Sequence, residues 1–134
     1  MKELQPHIDT PRYGYTGDVD ENGVMNGHGT FAYECGDVYE GDWENGVPHG
    51  DGVATQENGD VYAGQYDKGR RTGLCVYMYS NGCVYYGEVR NGIRKGQGIM
   101  HYANDDVFEG AFANGEPSGF GVHRFTNGDT VEGE

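Results

Sequence analysis

Hydrophobic and polar residues alternate in short runs separated by turn residues. From Val38 to Glu44, Tyr39, Gly41 and Trp43 share one side while Val38, Glu40, Asp42 and Glu44 share the other, the period of a half-buried strand. "ENG" at 44–46 then supplies a turn, because Asn and Gly tolerate positive φ at low cost. "DGVATQ" resumes an extended strand and "NGD" at 58–60 turns the chain again. Equivalent return strands read "GTFAY" from Gly29, "CVYMY" from Cys75, "GIMHY" from Gly98 and "GVHRF" from Gly121. Helix-period stretches are absent. Two turns per unit predict an all-β antiparallel meander of about ten strands, roughly 48 Å long at the usual strand spacing.

The units repeat every 23 residues, with one extra residue in the first copy. Aligned on Tyr15, Tyr39, Tyr62, Tyr85 and Phe108, a glycine follows two residues later each time, and again at Gly133. Further columns run through Gly23, Gly46, Gly69, Gly92 and Gly115, and through Gly27, Gly50, Gly73, Gly96 and Gly119. Two more lapse once each, at Cys75 (Gly29, Gly52, Gly98, Gly121) and at Asp105 (Gly36, Gly59, Gly82, Gly128). Of 25 glycines only Gly14 falls outside this frame, so the glycine is positional and does not mark a flexible linker.

A sheet without a covering helix must hide its rings within itself, and glycine on the adjacent strand offers a flat surface for a ring to lie on. Tyr15, Tyr39, Tyr62, Tyr85 and Phe108 form one predicted row, and Val19, Trp43, Tyr66, Val89 and Phe112 a second on the same face. Return-strand residues Tyr33, Tyr79, Tyr102 and Phe125 add a third, interrupted by Gln56. Each repeat then buries its apolar side only against its neighbours.

Charge changes the picture at one place. The formal charge of −13 argues against general attraction to nucleic acid or anionic membranes. Yet Lys68, Arg70, Arg71, Arg90, Arg94 and Lys95 are six of nine basic residues, with Glu88 the only acid between 68 and 95. Turns one repeat apart lie roughly 10 Å from each other on one edge. The expectation is a single basic patch that docks an acidic protein, an anionic lipid headgroup, or the acidic Asp18 to Glu57 end of another copy.

Candidate chemistry is sparse. Ser80 and Ser118 lie in turns without a nucleophile motif, and the five histidines occupy different repeat positions. "GVPHGDG" lacks the Lys-Ser/Thr ending of a phosphate loop. Cys35, Cys75 and Cys83 are odd in number and lack CxxC spacing, and no HxxxH or EF-hand spacing accompanies them. No enzyme, cofactor or metal is expected. With no signal peptide and no long apolar run, the reading is a reducing, soluble, intracellular setting.

With five complete copies in frame over residues 14–134, "YEGDWENGVPHGDG" resembles the MORN repeat, YEGxWxxGxxxGxG. The chain departs at Phe108 and Val131 in the leading aromatic position, at Val19 and Val89 in the tryptophan position, and at Cys75. The resemblance implies an elongated single-layer sheet of hairpins curved into a groove. It also implies a protein-interaction scaffold, often self-associating, in the cytoplasm at cytoskeletal or membrane-associated structures. By the same analogy Tyr39, Trp43, Tyr62, Tyr66, Tyr85, Phe108 and Phe112 are the expected anchors for a partner segment. The alternatives are a phosphoinositide-binding adaptor and a regulatory array detached from an enzyme. Residues 1–13, with two prolines, read as a leader or cap, and Val131 to Glu134 as the start of a sixth unit.

Overall fold

The computed structural model describes residues 7–8 and 14–133. One open antiparallel sheet contains every described strand, in sequence order from β1 to β12. The short β1 (His7–Ile8) pairs with β2 (Gly14–Val19). Five hairpins follow: β2 with β3 (Met25–Ala32), β4 (Val38–Glu44) with β5 (Val47–Thr55), β6 (Val61–Asp67) with β7 (Arg70–Met78), β8 (Val84–Arg90) with β9 (Ile93–His101), and β10 (Val107–Ala113) with β11 (Glu116–Arg124). The last strand, β12 (Thr130–Gly133), pairs with β11. Apart from β1, the leader expected over residues 1–13 lies outside the described residues.

The meander and its glycine-backed rings match the repeat pattern. Gly41 faces Gly52 across β4 and β5, and a Cβ on Gly52 would stand 2.5 Å from Tyr39 Cζ. In β9 a Cβ on Gly98 would stand 2.6 Å from Tyr85 Cε1. Tyr15, Tyr39, Tyr85 and Phe108 therefore lie against a return-strand glycine, whereas in the third unit Cys75 takes that position.

Alternation along one strand does not reveal the register shift inside each hairpin. In the second unit Gly41 faces Gly52, but Trp43 faces Pro48, so the return strand carries two extra residues. The same shift recurs between Gly17 and Val19, Gly64 and Tyr66, Gly87 and Val89, and Gly110 and Phe112. A two-residue shift preserves the side-chain parity of the sheet, so the rings stay on one face. Gly50, in the extra segment, has φ +109°, which explains that glycine column.

Neighbouring units are tied at both edges. The hairpin-tip N–H groups of Gly46, Gly69, Gly92 and Gly115 donate to the carbonyls of Met25, Pro48, Arg71 and Arg94 on the preceding return strand, at 2.7–3.1 Å. At the opposite edge, aspartates join successive connections. Asp37 Oδ1 accepts from Glu57 N at 2.8 Å, Asp60 Oδ1 from Ser80 N at 2.7 Å, and Asp106 Oδ1 from Thr126 N at 2.9 Å. The Ser80 backbone hydrogen bond is the main cause holding the Asp60 carboxyl below its ordinary value. Cys83 takes the aspartate position in the third connection and packs against the core.

Candidate interaction face

The leading rings and the tryptophan-position rings interlock edge to face. Tyr39 meets Trp43 at 5.2 Å and Tyr66 at 4.9 Å between centroids, and Tyr62 meets Tyr66 at 5.4 Å. Phe112 meets Tyr85 at 5.0 Å and Phe108 at 5.4 Å. Such pairs add about 0.5–1.5 kcal/mol each beyond the area they bury. Their polar tips are satisfied: Trp43 Nε1 donates to the Gly29 carbonyl at 3.0 Å. The hydroxyls of Tyr39, Tyr62 and Tyr85 donate to the carbonyls of Asp42, Gln65 and Glu88 at 2.8, 2.7 and 2.6 Å.

Each of the three tyrosine bonds spans three residues across the intervening glycine and ends at the register shift. Phe108 has no hydroxyl to place there. Phe108→Tyr should therefore gain about 1 kcal/mol by donating to the Ala111 carbonyl, read as a higher urea midpoint at unchanged slope. An unchanged or lower midpoint would deny these hydroxyls a stabilising role.

The expected anchors need correction. Tyr39, Trp43, Tyr62, Tyr66, Tyr85, Phe108 and Phe112 are all buried, none more than 8% exposed. They form the floor of the face and its core. Beside them on the same face lie the return-strand side chains. Facing the leading rings are Phe31, Ala54, Tyr77, Met100 and His123, a row that the sequence reading did not identify. Beyond it come Tyr33, Gln56, Tyr79, Tyr102 and Phe125; Tyr33 is 42% exposed and Phe125 39%.

The six cations do not form one patch. Arg71 faces Tyr66 and Arg94 faces Val89, which places both on the ring face. Arg70 pairs with Asp67, Arg90 with Ile93, and Lys95 follows Arg94, so these three alternate onto the opposite face, while Lys68 occupies the turn. The physical reason is the register shift together with the affinity of guanidinium for ring faces. Arg71 lies 4.7 Å from the centroid of Tyr62, and Arg94 5.5 Å from that of Tyr79.

Burial raises the phenol pKa of Tyr39 and Tyr62 above the ordinary 10.0 and pushes Tyr85 up to about 12. Neutral phenols then contribute stability fully below pH 10, and that contribution is lost as the pH rises toward 12. Alkaline titration should show phenolate absorbance rising together with loss of sheet circular dichroism above pH 10. Complete phenolate formation in a still-folded sheet would contradict it. Cys75, in the glycine column, is likewise buried, and its thiol is pushed up to about 11.

Among the described residues no group of three or more His, Cys, Asp or Glu is gathered to hold a metal ion, and no helix is long and apolar enough to cross a membrane. The MORN-repeat family model matches residues 15–38, 39–61, 62–84, 85–107 and 108–130. No curated protein matches the sequence. Among solved structures, the chain is similar to the SAS-4 TCP domain of Drosophila melanogaster, solved in complex with a proline-rich motif of Ana2. That likeness has a TM-score of 0.53 at 14% identity and covers 90% of this chain and 66% of that one.

Proposed function

Because the chain belongs to the MORN-repeat family, we propose that it is a non-enzymatic interaction scaffold that receives a segment of another protein on its ring face. The observation that carries this reading is the single layer. All described strands form one sheet, and half-exposed Tyr33 and Phe125 stand above a fully packed ring floor. Solvated rings over a rigid floor offer apolar area with little further ordering on binding. The SAS-4 domain, a similar sheet, was solved with a proline-rich motif, which supports a protein segment as the class of ligand.

Selection of a random twelve-residue peptide library on the immobilised protein tests the reading. Enriched peptides should lose at least about tenfold in affinity on Tyr33→Ala. No enrichment, or peptides indifferent to changes on this face in a folded protein, would overturn it. The same reading carries an expectation of cytoplasmic residence at cytoskeletal structures, checked by imaging a tagged chain. Self-association would draw on the exposed Lys68, Arg70, Arg90 and Lys95, and light scattering at low and high salt measures it.

A further inference from the structure

The ring face is interrupted in β5. Facing the leading rings, and again two residues later, the flanking return strands carry paired rings: Phe31 with Tyr33, and Tyr77 with Tyr79. In β5 and the connection that follows it the same two positions are Ala54 and Gln56. A depression of about 280 Å³ opens where those side chains would have stood. Tyr39, Ala54 and Tyr66, each at most 8% exposed, form its floor. Tyr33, Gln56 and Arg71 line it above that floor.

The two arginines of this face differ in what they have left to give. They share one repeat position, occupied by Met25, Pro48 and Pro117 in the other units. Arg94 is committed: its Nε donates to the Gly115 carbonyl at 2.8 Å, and its Nη groups reach Gly115 and the Tyr79 hydroxyl. Arg71 instead rests over Tyr62 and approaches the hydroxyls of Tyr66 and Tyr77. Among the described residues no carboxylate pairs with it, although the chain carries 22 acids. A half-buried guanidinium, oriented by ring faces and by two phenol hydroxyls, keeps further N–H donors for a planar carboxylate.

We propose that this depression is a pocket for a partner segment that carries a bulky apolar side chain beside a carboxylate. The apolar group fills the space over Tyr39 and Tyr66, and the carboxylate accepts hydrogen bonds from Arg71. Asp37 also lines the depression and repels a dianionic phosphate more strongly than a single carboxylate, which favours an acidic side chain over a phosphorylated one. Placing a cation in a chain of net charge −13 also localises the attraction to this unit.

The inference rests on the scaffold reading, and its test keeps the two separable. The twelve-residue library is selected on the wild-type protein, then the enriched peptides are measured against Arg71→Met and against Ala54→Phe/Gln56→Tyr. The double variant restores the ring pair of the neighbouring units, so it closes the pocket with side chains this fold already accepts. Enriched peptides should carry Asp or Glu next to a large apolar residue, weaken roughly tenfold or more with Arg71→Met, and fail on the filled pocket. Exchange of the peptide Glu for Gln should match the Arg71→Met loss. Peptides without a carboxylate, or indifferent to both variants, overturn the pocket. If such peptides still respond to Tyr33→Ala, the ring face remains the docking site. Failure of the wild-type protein to enrich any peptide overturns both.

Discussion

Gly41→Ala should lower the unfolding free energy by about 3 kcal/mol, at the upper end for overpacked sites, although it adds one methyl group. Gly41 lies in regular strand with no positive φ, so conformational strain is not the cause. A Cβ there would stand 2.5 Å from Gly52 Cα and 2.7 Å from the Tyr39 hydroxyl oxygen. The first neighbour is backbone and cannot rotate aside, so β4 and β5 would have to separate. The second makes the bond to the Asp42 carbonyl, which the movement would break. Gly92→Ala provides the contrast, with φ +81° and no neighbour within 4 Å. It meets backbone strain alone, about 1 kcal/mol. Urea unfolding of the pair separates the two causes, and a loss at Gly92 equal to or larger than that at Gly41 would refute the close-approach account. The chain itself points the same way. The return-strand column admits Cys75, whereas the outgoing column keeps glycine in all five hairpins, at Gly17, Gly41, Gly64, Gly87 and Gly110.

The period-2 alternation of Tyr39, Gly41 and Trp43, bounded by Asn-Gly turns, was sufficient to read the meander, its face and the ring-on-glycine packing. Those features are local, or recur between adjacent strands. The register shift is a relation between two strands, so it left only an unexplained glycine column in the sequence. Once Tyr66 faces Arg71 and not Gly73, a residue that reads as a solvated turn cation becomes part of the ring face. Hydropathy also ranks Tyr62 and Tyr33 alike, although one is 0% and the other 42% exposed. Exposure depends on place along the return strand and not on ring size: Ala54 and Met100, opposite leading rings, are buried, while Tyr33 and Phe125, two residues beyond that row, stand at the rim. The pocket was partly legible, because Gln56 visibly broke the third row. Its second half, Ala54 where its neighbours hold Phe31 and Tyr77, needed the pairing of β5 with β4 and β6.

Tyr62→Ala should produce the largest loss of any single ring, roughly 3–5 kcal/mol. Tyr62 is fully buried, packs edge to face with Tyr66, lies under Arg71 and donates to the Gln65 carbonyl. Tyr62→Phe removes only the last of these and should cost about 1 kcal/mol. The form of the loss is as informative as its size. In a single sheet ordered by sequence, each hairpin contacts only its neighbours, so stability is approximately a sum of unit and interface contributions. The interface after the third unit already lacks a ring: Tyr39 meets Tyr66 and Tyr85 meets Phe112 of the unit that follows, whereas the fourth unit offers Tyr62 only Val89. Removing Tyr62 therefore weakens the array near its middle and should uncouple its halves. Amide exchange should accelerate first in β5 to β8, while the outer hairpins β2–β3 and β10–β11 retain their protection. Uniform acceleration along all twelve strands would show instead that the sheet melts as one cooperative body, and the nearest-neighbour account of this fold would fail.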